Sequence, residues 1–145
     1  MKILICGLSS SGKTWLSTRL SKVLKLTHHN ADDIRRELDD WDFSYQGRLR
    51  QAQRMKDKKG ILDFICPLEE FRDLVRADYI IWMDKHECKY EDTIKIFERP
   101  KNYDIRIRQW ITEDQLSRCL EGFNHGIEDT PSFLSALSER LDKLQ

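Results

Sequence analysis

The residues Gly7-Leu-Ser-Ser-Ser-Gly-Lys-Thr14 combine the groups that hold a polyphosphate at the spacing such binding requires. Glycines at 7 and 12 let backbone N–H groups approach phosphate oxygens, and Ser9, Ser10 and Ser11 complete the loop between them. Lys13 would reach the β- and γ-phosphates, while the Thr14 hydroxyl would bind Mg²⁺. The pattern predicts ATP and Mg²⁺ as the bound species. The competing reading, a Ser-rich turn that caps a helix, leaves the Lys-Thr pair without a role.

A loop that holds triphosphate does not say where the phosphoryl group goes. Water is one destination, and a second substrate at the carboxyl ends of the same strands is another. The residues that could decide lie in "NADDIR" (30–35), "DFSYQGRLRQ" (42–51) and "DFICPLEEFR" (63–72). Asp32 begins a helix, where an acidic residue is stabilised by the helix dipole. Alternatively it accepts or orients the proton of an acceptor hydroxyl, with Arg35 one turn later facing an anion. Asp63 interrupts an apolar run, where a carboxylate is costly unless paired or metal-bound, and a place beside Mg²⁺ would satisfy it. Lys13, Asp32 and Asp63 are therefore the candidate catalytic residues, with Thr14 and Asp63 the candidate metal ligands. Asp84 at a third strand end is a weaker candidate. Trp41 and Phe43 lie beside charged residues and favour substrate contact, whereas Trp15 and Trp82 read as packing. His28 and His29 alternate along an extended segment, so at most one can face a site, and both read as ordinary.

These groups need strands and helices to bring them together. Ile3 to Cys6 is wholly apolar, as a strand buried on both faces of a parallel sheet would be. Leu16, Leu20, Val23 and Leu24 recur at helical spacing behind the loop. A charged helix from about 32 to 38 and a sparsely apolar one over 45–58 come next. Strands follow at Ile61 to Cys66 and Tyr79 to Asp84, and Pro67 fits the first turn of the intervening helix. "YDIRIRQWI" adds a candidate strand, and helices close the chain over 113–120 and 131–144. Alternating strands and helices predict one α/β domain over 1–145, a three-layer α/β/α fold with a mostly parallel sheet. The charged segment from about 85 to 103 is a candidate mobile lid.

Composition narrows the partners. Lys plus Arg equal Asp plus Glu at 25 each, so no net charge draws the chain to nucleic acid or an anionic membrane. The four cysteines are too scattered for a zinc site or disulfide framework. No apolar run suits a membrane span, and Met1-Lys2 leads into a strand rather than a signal peptide, so the expected location is cytoplasmic, that of the host if a phage encodes the chain.

Taken together, "GLSSSGKT", "NADDIR", "DFS" followed by Arg48, and "FICPLEEFR" resemble the adenylylsulfate kinases. These transfer the γ-phosphate of ATP to the 3'-hydroxyl of adenosine 5'-phosphosulfate. The similarity is collinear from residue 1 to about 84 and fades beyond. It implies that Gly7 to Thr14 serve ATP and Mg²⁺, and that Asp32, Arg35 and Arg48 serve the acceptor. It further implies that the acceptor's base stacks on Phe43, and that Gln51, Cys66, Pro67 and Leu68 line its pocket. Five positions depart from the family pattern: Asn30 replaces an Asp, Ala31 a Gly, Gln51 an Asn, and Cys66 and Leu68 replace the Ser and Tyr of Ser-Pro-Tyr. The donor half is untouched by these changes, while the acceptor could differ. The readings are thus a kinase for adenylylsulfate, a kinase for another nucleotide or for 5-hydroxymethyluracil in phage DNA, and an NTP-binding regulator without transfer. Nucleic acid is a partner only under the second. A homodimer is implied by resemblance alone.

Overall fold

The computed structural model describes residues 1–123 and 129–145. Strands β1 (Lys2–Cys6), β2 (His28–Asn30), β3 (Gly60–Asp63), β4 (Tyr79–Met83) and β5 (Ile105–Ile107) form one sheet in the order β2-β3-β1-β4-β5. Every pairing among them is parallel. The helices are α1 (Lys13–Leu24), α2 (Ala31–Leu38), α3 (Tyr45–Lys56), α4 (Glu69–Val75), α5 (Glu91–Ile96), α6 (Glu113–Cys119) and α7 (Thr130–Asp142).

The layers follow from side-chain alternation along the central strand. Ile3 and Ile5 point to one face, where α1, α6 and α7 contribute Leu16, Leu20, Leu116, Phe133 and Leu137. Leu4 and Cys6 point to the other, where Ala52, Met55, Phe71 and Val75 come from α3 and α4. A strand sandwiched in this way must be apolar at every position, which explains the unbroken run "ILIC". Fully burying each such Ile or Leu contributes about 1.5–3 kcal/mol.

Local signals set the helix starts. Asn30 Oδ1 accepts from the N–H groups of Asp32 and Asp33 at the head of α2, and Ser44 Oγ accepts from Gly47 N at the head of α3. Thr112 and Gln115 form a reciprocal capping box on α6. Two expectations change. β3 ends at Asp63 rather than running to Cys66, so Asp63 closes the strand instead of interrupting it. Pro67 lies before α4 rather than in its first turn, because Leu68 is the capping residue and Cys66 adopts a left-handed φ of 47° that turns the chain early.

Candidate active site

The phosphate loop joins β1 to α1. Gly7 has φ 150°, and a Cβ there would stand 2.6 Å from the Met83 carbonyl oxygen, so close packing against β4 demands glycine as much as any ligand does. Ser10 (φ 60°) and Gly12 (φ 91°) turn the chain back so that α1 starts at Lys13. The N–H groups of Ser9 to Lys13 find no acceptor among the described residues. Unpaired amides converging on a helix N-terminus form an anion-binding concavity. Lys13 Nζ donates to the Leu8 carbonyl at 2.8 Å. Burial lowers the Lys13 pKa, with Asp63 and Asp32 opposing.

Asp63 is the hub beside this loop. Its Oδ2 accepts from Thr14 Oγ1 at 2.6 Å and from Asn30 Nδ2 at 3.2 Å, and stands 3.1 Å from His28 Nε2. The carboxylate is 4% exposed, so these partners replace water. Asn30, where the resembled family has Asp, works at both ends: its oxygen caps α2 and its amide holds Asp63. His28 belongs to the site after all, while His29 turns away to the Lys59 carbonyl. The alternation anticipated this split, but only the parallel pairing of Asn30 with Asp63 puts His28 within reach of that carboxylate.

A cavity of about 280 Å³ opens over the loop, lined by Ser9 to Thr14, Asp32, Asp63 and their neighbours. An adjoining cavity of about 30 Å³ is lined by Asp32, Arg35, Phe43, Arg48, Gln51 and Pro67 among others. Asp32 borders both. Asp32 is exposed and lies where the two cavities meet.

The smaller cavity has unusual electrostatics. Arg35 and Arg48, which line it, are 5% and 8% exposed, and Arg72, bonded to the Pro67 carbonyl outside the lining, is 3% exposed. Of these, Arg72 alone has an ion pair among the described residues, with Glu69 at 2.7 Å. Arg35 Nη1 donates to the carbonyls of Asp40 and Asp42, and Arg48 donates from Nε to the Phe43 carbonyl and from Nη2 to Thr93 Oγ1. Among the described residues each therefore uses two of a guanidinium's five N–H groups and has no acceptor for the other three. Burial pushes both pKa values down. Phe43 is 51% exposed, and its ring centroid lies 4.6 Å from the Arg35 guanidinium carbon and 5.3 Å from that of Arg48. Its exposed side remains open to a flat group.

Other expected contacts fall elsewhere. Gln51 lines the cavity, but its amide is engaged by the Ala31 carbonyl and by Arg54. Pro67 lines it too, whereas Cys66 and Leu68 do not. Cys66 is fully buried in the core between sheet and α4, where desolvation raises its thiol pKa well above the ordinary value, and Leu68 packs against that core. The early turn at Cys66 directs both inward. Asp84 is paired with Arg106 at 2.5 Å and is a structural ion pair.

A third cavity, which the sequence did not announce, opens on the β4–β5 side of the loop. It measures about 160 Å³ and is lined by Gly12, Trp15, Leu16, Met83, Lys85, Ile107, Trp110 and Ile111. Trp15, expected to be packing, is part of this wall, whereas Trp82 is packed as expected at 3% exposure. Lys85 Nζ lies 3.0 Å from the Trp110 ring centroid and donates to the Ser11 carbonyl at 2.8 Å. An apolar slot with an exposed indole next to the phosphate loop suits a nucleotide base.

The chain has the fold of the P-loop kinases. It superposes on the APS kinase of Mycobacterium tuberculosis, also solved with AMPPNP and APS, with a TM-score of 0.62 at 21% identity, covering 84% of this chain and 94% of that one. A sugar kinase from a Janibacter species gives 0.62 at 14% identity, covering 91% and 96%. Shikimate kinase from Aquifex aeolicus gives 0.56 at 13%, covering 81% and 92%. No family model and no curated protein matches the sequence. In this P-loop kinase fold the crevice at the carboxyl ends of β3, β1 and β4 is where ligands bind, and all three cavities border it. No helix among the described residues is long and apolar enough to cross a membrane.

Proposed function

We propose that the chain is an ATP-dependent kinase that carries the γ-phosphate to a hydroxyl of a nucleotide-like anionic acceptor, with adenylylsulfate the acceptor its motifs resemble most. The observation that carries this reading is the pair of buried guanidinium groups, Arg35 and Arg48, which have no ion pair among the described residues and lie in a cavity that meets the phosphate loop at Asp32. A buried cation without a counter-ion is costly, and a bound anion repays that cost with bidentate contacts. A protein that only hydrolyses or senses a triphosphate has no use for such a pocket.

The roles follow from position. ATP lies with its phosphates in the loop and its base in the slot between Trp15 and Trp110. Lys13 leaves the Leu8 carbonyl for the β- and γ-phosphates, stabilising charge on the transferring group. The Thr14 hydroxyl and Asp63 carboxylate, already 2.6 Å apart, are hard oxygen donors of the kind Mg²⁺ prefers and would hold it. When bound, the ion neutralises charge on the phosphate oxygens. Arg35 and Arg48 grip the acceptor anion, and its base lies on Phe43. Asp32 takes the hydroxyl proton as that oxygen bonds to the γ-phosphorus and the bond to the β-phosphate oxygen breaks, leaving ADP. Residues 85–103 serve as the lid.

One observation favours a different acceptor within the same chemistry. The family's hydroxyl and aromatic ring after β3 are replaced by Cys66 and Leu68, both turned into the core, so part of the expected acceptor wall is absent. Incubation with ATP, Mg²⁺ and adenylylsulfate, nucleoside monophosphates or 5-hydroxymethyluracil DNA, read by mass spectrometry, tests the reading. One phosphoryl added to adenylylsulfate is the expected result. Transfer to another member alone reassigns the acceptor, and hydrolysis without transfer across the panel overturns the kinase.

A further inference from the structure

Helix α5 buries the wrong residue for a surface helix. Ile94 and Ile96 are both 39% exposed, whereas Thr93 is 8% exposed and is the one buried side chain of the helix. Turning a hydroxyl inward while two aliphatic side chains face water gives up hydrophobic stabilisation, so the hydroxyl must have a specific partner. That partner is Arg48, whose Nη2 donates to Thr93 Oγ1 at 3.2 Å across 45 residues of chain.

The same segment is fastened again where α5 ends. The Glu98 N–H donates to the Pro67 carbonyl at 2.8 Å. Arg72 Nη2 donates to the carbonyls of Pro67 and Glu98 at 3.2 and 2.5 Å, and its Nε donates to the Cys66 carbonyl at 3.0 Å. Residues 93–98 are therefore docked on the acceptor cavity through Arg48 and Pro67, two of its lining residues. The start of the lid segment, Lys85, is docked on the opposite side of the phosphate loop.

We infer that Thr93 is a positioning residue for the acceptor's anion, acting through Arg48. This rests on the reading of Arg35 and Arg48 as the anion grip. A guanidinium is planar, so two contacts along one edge fix the direction of its other N–H groups. Phe43 supplies one such contact at Nε and Thr93 supplies the other at Nη2. Loss of the Thr93 hydroxyl frees the plane to rotate, and the remaining N–H groups no longer share one aim. Affinity for the acceptor thus depends on a side chain that does not touch it, carried by a segment that also reaches the donor side.

The test uses the full chain with AMPPNP and Mg²⁺ saturating the phosphate loop. Inorganic sulfate is titrated while the ¹⁵N signals of the Arg48 guanidinium are followed, and steady-state kinetics with ATP and adenylylsulfate run in parallel. Thr93→Val is expected to weaken sulfate by about tenfold or more, the size of one lost hydrogen bond to a charged group, and to raise the KM for adenylylsulfate by a similar factor. The KM for ATP stays unchanged, and Thr93→Ser restores both values. The inference is overturned if Thr93→Val binds sulfate as the wild type does, if Thr93→Ser fails to rescue, if the KM for ATP rises equally, or if sulfate leaves the wild-type Arg48 signals unmoved. Should sulfate shift Arg48 while adenylylsulfate is not phosphorylated, the acceptor assignment fails and the role of Thr93 is judged on sulfate alone.

Discussion

The two halves of the site are built by opposite means. The phosphate side is a local structure: Gly7 to Thr14 are contiguous, and backbone amides, a helix end and the Lys13 ammonium supply its positive potential. The proposed acceptor side is assembled from α2, α3 and the turn after β3, with Thr93 of α5 accepting from Arg48, and its charge comes from guanidinium groups at 35 and 48. The backbone cradle keeps its charges, Lys13 and the buried Asp63, beside partners already at hand and asks little more of the rest of the fold. A pocket of buried arginines is costly until it is filled, and it depends on carbonyls and hydroxyls contributed from far along the chain. The first kind of site is fixed in its ligand, whereas the second can be retuned by a change in any of several segments.

The sharpest way to break this contrast is at Lys13. Lys13→Ala is expected to lower kcat/KM for any transfer by about 10³-fold or more, roughly 4 kcal/mol, because nothing else on the loop can follow the moving charge. Full activity in that variant would remove the phosphate-loop assignment. On the proposed acceptor side, Arg48→Met should cut kcat/KM about 100-fold through the acceptor's KM while lowering ligand-free stability by about 1 kcal/mol, since the buried Thr93 hydroxyl and the Phe43 carbonyl lose their donor. Arg72→Met, which breaks the pair with Glu69 as well as three carbonyl contacts, should lose more stability still, and urea midpoints of the two variants compare them directly. Trp110→Ala should raise the KM for ATP about tenfold, the worth of one stacked base, and leave the acceptor's KM alone.

The smallest effect concerns Lys85. Burial pushes its ammonium down to about 8 from 10.5. A cation whose folded pKa is depressed penalises folding below that value, and the penalty fades as pH rises from about 8 to 10.5. Wild-type stability should therefore gain a little over that interval, no more than about 1 kcal/mol for a half-exposed group, and Lys85→Met should show no such gain in urea titrations.

The sequence made the contiguous half legible and the assembled half legible only in part. The strand, loop and helix around Gly7 to Thr14 follow from apolar runs and glycine spacing, and those signals are local. Arg35, Phe43 and Arg48 were found by motif resemblance and do meet in one cavity. Cys66 and Leu68 were misplaced because the left-handed turn at Cys66 turns both into the core, and no residue type there announces it. The slot between Trp15 and Trp110 was missed because it exists only through the sheet order, which sets α1 beside the residues that follow β5. Thr93 was invisible for the same reason, its partner lying 45 residues away.

That sheet order bears on how the chain is made. β1 is the central strand and precedes both strands that flank it, β3 from Gly60 and β4 from Tyr79. At ribosomal speeds of about 5–20 residues per second, "KILIC" waits roughly 3–11 s before its first neighbour is synthesised. For that interval it is an apolar strand with both edges open, the kind of segment that aggregates or calls for a chaperone. The ATP of the proposed function offers no rescue so early, because Asp63, one of the residues proposed to hold its metal, has yet to emerge when the phosphate loop is already complete. Overexpression at lowered temperature, where the wait lengthens, is where this nascent strand would make itself felt.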